Sequence, residues 1–180
     1  HFDGATLDPE KWKLTIGGET GKAFSADSTL SLEKAKITTA RYEFASGILE
    51  YQARVSAHGA VAGILRGTAD GNNDLVAYAS TLAGSEHAVA TGGNVKANDP
   101  KPVTPGVFYV FRVRYDPNGD LVFQRFAEGG EGEAQAEVKY ASGTGPASPV
   151  GLSSSNLDHS VECSWIRTRR AADPAPAIDR

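Results

Sequence analysis

An all-β domain is the fold class this sequence predicts, and three observations predict it. Apolar and polar residues alternate with period two through many short segments, turn-forming clusters separate those segments at near-regular spacing, and no stretch sustains the i, i+3, i+4 spacing of a core helix. Twenty Gly and nine Pro among 180 residues supply the turn chemistry. This length predicts one well-cored domain, residues 1–170, followed by a Pro/Ala-rich extended tail or linker, 171–180, that has little to bury.

Eleven segments carry strand character: KWKLTI (11–16), STLSL (28–32), KITTARYEF (36–44), GILEYQARVSA (47–57), AVAGILRG (60–67), DLVAYAST (74–81), EHAVAT (86–91), VFYVFRVRY (107–115), DLVFQRFA (120–127), AQAEVKY (134–140) and VECSWIRTR (161–169). AHG, DGNN, AGS, GGN, DPNG, EGGEG and GTGPASP part most of them. VFYVFRVRY-DPNGD-LVFQRFA predicts a hairpin, because Pro presets the first turn position and Asn-Gly accommodates positive φ. SADSTLSLEKAKI comes nearest to a helical pattern and predicts at most one capped turn. So many short strands build a sandwich or a barrel.

Alternation then sorts the side chains. In GILEYQARV, Leu49, Tyr51, Ala53 and Val55 form an inward row, and Glu50, Gln52 and Arg54 an outward one. In VFYVFRVRY, Tyr109, Phe111, Val113 and Tyr115 turn inward, and Arg112 and Arg114 outward. Gln124 beside Phe126, with Arg66 and Tyr78 from other strands, extends the outward set if the rows share one sheet. Guanidinium forks and planar amides suit hydroxyls and carboxylates, so Glu50, Gln52, Arg54, Arg66, Tyr78, Arg112, Arg114 and Gln124 are the candidate saccharide ligands. The plain alternative is a solvated face whose Glu and Arg pair across strands.

Other function classes are disfavoured. Formal net charge is −4 and the 18 basic residues are scattered, so the footprint of a nucleic-acid binder is missing. No apolar run approaches the ~20 residues of a membrane span. Cys163 is the lone cysteine, which precludes an intrachain disulfide and reads as a buried thiol. His58, His87 and His159 have no zinc spacing, DGNND (70–74) reads as a tight turn, and Gly17-Gly18 lacks a phosphate-loop pattern. The chain begins at His1 and contains no Met, from which a processed, secreted or surface-displayed protein is expected.

Several stretches together resemble the concanavalin A-like lectin/glucanase superfamily, which includes laminin G-like domains. HFDGATLDPEKWKL resembles its F-D-G-x-x-L-D-x-x-x-W opening through Phe2, Asp3, Gly4, Leu7, Asp8 and Trp12. FASGILEYQARV is similar to an internal strand of the family through Gly47, Glu50 and Arg54, YVFRVRYDPNGDLVFQRF to its late hairpin, and VECSWIRTRR to its closing strand. The resemblance implies a jelly-roll β-sandwich of two antiparallel sheets. It also implies a structural calcium held through Asp3 and Asp8, although Cys163-Ser164-Trp165 stands where an Asp-Trp is expected.

The laminarinase branch uses an E-x-D-x-x-E strand that brings two carboxyls to one cleft face. AGILRGTADGNNDLVAYAST contains no such pattern. The leading expectation is therefore a non-catalytic, lectin-like module for a poly- or oligosaccharide, anionic in view of its arginines. One alternative is a structural subunit of a surface assembly or filament, self-associating through the tail or a sheet edge. Another is a lyase or hydrolase with an atypical site drawn from Tyr78, His87, Arg66 and Gln52.

Overall fold

The computed structural model describes residues 7–16, 21–26, 28–41, 43–57, 59–67, 73–81, 86–154 and 160–169. Asp3, His58, His159, residues 70–72 of DGNND and the 171–180 tail lie outside them. The strands are β1 (Trp12–Ile16), β2 (Lys22–Ala26), β3 (Thr29–Glu33), β4 (Ala35–Thr39), β5 (Gly47–Val55), β6 (Ala60–Gly67), β7 (Asn73–Ser80), β8 (His87–Thr91), β9 (Asn94–Asp99), β10 (Tyr109–Tyr115), β11 (Asp120–Phe126), β12 (Ala136–Ala141), β13 (Gly151–Ser154) and β14 (Ser160–Arg169). They form two seven-stranded sheets with every pairing antiparallel, the first ordered β1-β4-β13-β6-β7-β8-β9 and the second β12-β11-β10-β5-β14-β3-β2.

The two inner faces meet in a core that takes in every inward residue expected of β5 and β10: Leu49, Tyr51, Ala53, Val55, Tyr109, Phe111, Val113 and Tyr115. Tyr51 stacks on Phe111 with ring centroids 5.1 Å apart, and Phe111 approaches Phe123 at 6.1 Å. Burying each large apolar side chain of this layer contributes about 1.5–3 kcal/mol. The DPNG hairpin forms as expected: Gly119, at φ 90°, donates its N–H to the Asp116 carbonyl at 2.9 Å and joins β10 to β11.

Three strands escape the sequence reading: β2, the strongly exposed β9, and the four-residue β13. The single turn that SADSTLSLEKAKI allowed does not form among its described residues, because β2, β3 and β4 take them up and Lys34, at φ 45°, makes the corner between β3 and β4. KITTARYEF is not one strand either. β4 stops at Thr39, and Phe44 forms an isolated bridge to Ser148.

Connectivity decides which rows meet. The chain leaves the second sheet after β5, runs β6 to β9 in the first, and returns with β10. The neighbours of β5 are therefore β10 and β14, both distant in sequence.

Candidate functional site

On the outer face of the second sheet, the register aligns Arg112 of β10, Glu50 of β5 and Arg167 of β14 in one row. Arg112 Nε donates to Glu50 Oε1 at 2.6 Å, and Arg167 Nε donates to Oε2 at 2.9 Å. Arg169, one outward position further along β14, brings Nη2 to 3.4 Å from Oε1. Glu50 faces outward as expected, yet its side chain has no exposure because the arginines roof it over; theirs are 29 %, 62 % and 54 % exposed for Arg112, Arg167 and Arg169. Burial is the largest single influence on the Glu50 carboxyl and favours its neutral form. Hydrogen bonds and positive charge from Arg112, then Arg167, together outweigh it and hold the pKa below the usual carboxylate value. One carboxylate against three guanidiniums leaves this cluster a local excess of positive charge.

Rows on either side are also organised. Arg54 donates from Nε and Nη2 to Glu162 Oε2 at 3.0 and 2.7 Å. Gln52 Nε2 donates to the Glu128 carbonyl at 3.1 Å, Gln124 Nε2 to Glu137 Oε2 at 2.6 Å, and Arg114 lies 3.3 Å from Asp116. The hydrogen bond from Gln124 and then that from Lys139 lower the Glu137 pKa. Guanidiniums cover the aromatic rings: Arg54 over Phe108 at 4.7 Å, Arg112 over Phe126 at 4.6 Å, and Arg167 over Trp165 at 4.9 Å. Each of these rings has a guanidinium over it, and the exposed polar groups of this face include the Arg114, Arg167 and Arg169 guanidiniums together with Lys139 and the Glu137 and Glu162 carboxylates.

Six of the eight sequence-predicted ligands share this face: Glu50, Gln52, Arg54, Arg112, Arg114 and Gln124. Arg66 and Tyr78 do not join them. Both belong to the first sheet, where Tyr78 stands between Ala62 and Ala88 and the Arg66 side chain packs against Gly145. They were grouped on the condition that the rows share one sheet, and the step from β5 to β6 changes sheets.

The atypical enzyme constellation is likewise dispersed. His87 lies inside the sandwich, stacked on Phe123 at 3.8 Å, while Gln52 and Tyr78 sit on different sheets. His87 Nε2 donates to the Phe123 carbonyl at 3.1 Å and Nδ1 is buried without a partner. Burial lowers its pKa to about 4 against the raising effect of that hydrogen bond, with the Arg125 charge adding to the depression. Cys163 is buried, donates to the Trp165 carbonyl at 3.2 Å, and has its thiol pKa pushed up by burial, which makes it unreactive.

Asp8 accepts from the Glu10 N–H at 2.9 Å through Oδ1 and meets Lys11 at 3.5 Å through Oδ2, so its carboxylate closes its own turn. Among the described residues no group of three or more His, Cys, Asp or Glu is placed to hold a metal ion. Asp3, the other residue of the calcium expectation, lies outside the described residues, and no part of the site is built on that ion.

Arg167, Arg169 and Trp165 were missed by the sequence reading. The ladder between β14 and β5 shifts register between Cys163 and Trp165, so Ser164 is an extra residue. Cys163 pairs with inward Ala53, but Trp165 pairs with outward Gln52. This bulge reverses the parity of the strand and sends Trp165, Arg167 and Arg169 outward. The signal was present: Val161 and Cys163 are apolar at odd positions, whereas Arg167 and Arg169 are charged at odd positions, and one inserted residue reconciles them.

No protein-family model matches the sequence, and no curated protein does. Solved structures do match the fold. The carbohydrate-binding module CBM66 from Bacillus subtilis aligns with a TM-score of 0.67 at 10 % identity, over 88 % of this chain and 95 % of that one. A Bacillus licheniformis β-glucanase aligns with a TM-score of 0.60 at 12 % identity, over 94 % and 96 %. A legume lectin-like domain from Entamoeba histolytica gives 0.58 at 10 % identity, over 92 % and 94 %. With two antiparallel seven-stranded sheets and these neighbours, the chain has the concanavalin A-like jelly-roll fold that its opening, internal and closing motifs resemble.

Proposed function

We propose that this chain is a non-catalytic carbohydrate-binding domain of a secreted or surface protein, and that it takes an acidic saccharide on the outer face of its second sheet. The carrying observation is the Arg112–Glu50–Arg167 row with Arg169 beside it, where three guanidiniums share one carboxylate. The more exposed Arg167 and Arg169 retain N–H groups for a uronate carboxylate or sugar hydroxyls. Support for a saccharide comes from the fold's company, which includes a carbohydrate-binding module, a lectin-like domain and a glucanase. The lack of an E-x-D-x-x-E strand supports binding over hydrolysis.

The test is electrophoresis through gels containing polygalacturonate or a neutral glucan, with released products scored in the same samples. Retardation by polygalacturonate without products, weakened at least fivefold in R167A/R169A, is the expected result. Products would establish an enzyme, and equal mobility in all gels would remove the polysaccharide reading.

A second reading, a self-associating structural subunit, is favoured by exposed apolar side chains on two edge strands: Leu14 and Ile16 on β1, and Phe24 on β2. Light scattering across a concentration series separates it, since a binding module stays monomeric.

A further inference from the structure

β3 pairs with β14 only along Ser160–Cys163, so among the described strands the second half of β14 has a partner on its β5 side alone. Beside that unpaired edge, where the start of β1 and the end of β4 approach it, lies a cavity of about 390 Å³. Trp12, Val150 and Ile166 give it an apolar wall, and Lys11, Arg41 and Arg167 give it a cationic rim opposed by Glu10. Glu10 is ion-paired with Arg41 and Asp8 with Lys11, so the rim's net positive charge comes from Arg167, which shares Glu50 with Arg112 and Arg169. An aromatic wall beside a guanidinium that shares its carboxylate suits one ligand chemistry: a pyranose ring whose apolar face lies against the indole and whose carboxylate meets that guanidinium. The volume is at the small end for ligand sites and matches one or two sugar rings. Arg167 belongs to both places, since it borders the cavity and also donates to Glu50.

We propose that this cavity is a subsite for a single hexuronate residue, continuous through Arg167 with the arginine cluster on the outer face, so that an acidic chain crossing the face ends at Trp12. The identity of the ligand rests on the saccharide reading, and the geometry of the cavity does not.

The experiment is amide and indole NMR on the full chain, which has only two tryptophans, Trp12 and Trp165. Their indole N–H signals are assigned with W165F, and the wild-type protein is titrated with tri-galacturonate and, as neutral control, cellotriose. The Trp12 signal should move saturably with tri-galacturonate, at least fivefold less readily with cellotriose, and with at least fivefold weaker affinity in R41Q. A Trp12 signal that stays still while polygalacturonate gels retard the protein overturns the subsite and leaves the proposed function standing. A Trp12 response without gel retardation keeps the subsite and removes the polysaccharide function. Silence in both assays removes both.

Discussion

Arg167 faces Glu50 across the β5–β14 ladder, with Nε 2.9 Å from Oε2, because Ser164 bulges from β14. Were Ser164 paired in the ladder instead of bulged, strict alternation would turn Arg167 into the core alongside Val161 and Cys163. Deleting Ser164 should therefore leave a regular ladder in which Trp165, Arg167 and Arg169 keep their outward places, and the variant should fold. The check is soluble yield and far-ultraviolet circular dichroism, and a deletion variant that fails to fold would mean that the sheet needs the bulge for more than the parity of β14.

The two halves of that ion pair should respond differently to mutation. Glu50 is fully buried, so E50Q leaves arginines facing one another without a countercharge and should cost about 2–3 kcal/mol in urea denaturation. R167A removes a mostly exposed partner while Arg112 still holds Glu50, and should cost less than about 1 kcal/mol. Equal losses would show that the row behaves as a simple surface pair.

His87 predicts an acid limb in the stability profile. Its pKa is near 6.5 in the unfolded chain and about 4 in the fold, so the unfolded state binds the proton more readily between those values. The full stability is present above pH 6.5 and falls as pH drops toward 4, by about 3 kcal/mol if no other group titrates. In H87L this loss should be much smaller over the same window, with only the carboxylates, Glu50 among them, contributing as pH approaches 4 and below. Denaturation midpoints at pH 7, 5.5 and 4 measure it.

Gly47 opens β5 at φ 135°, and a Cβ there would stand 2.5 Å from the Arg169 carbonyl oxygen. G47A should cost about 1–3 kcal/mol from backbone strain alone and loosen the end of β14 that carries Arg169. Thermal denaturation together with hydrogen exchange of the β14 amides checks both parts.

The sequence by itself determined the class, the inward rows of β5 and β10, the hairpin at DPNG, and most of the candidate face. Each is written in local chemistry: period-two burial, turn residues, and the parity of one strand at a time. β9 was missed because it is exposed and its apolar row is only Val95 and Ala97, and β13 because four residues are too few to show a period. Only the tertiary structure decided that Arg66 and Tyr78 leave the group while Arg167 and Arg169 join it. Those outcomes depend on sheet order and on one bulge. Antiparallel pairing joins strands more than a hundred residues apart, such as β5 and β14, through backbone hydrogen bonds that are the same for every side chain. The partner of Glu50 is set by which strand closes the sheet, a property of the whole chain rather than of any segment.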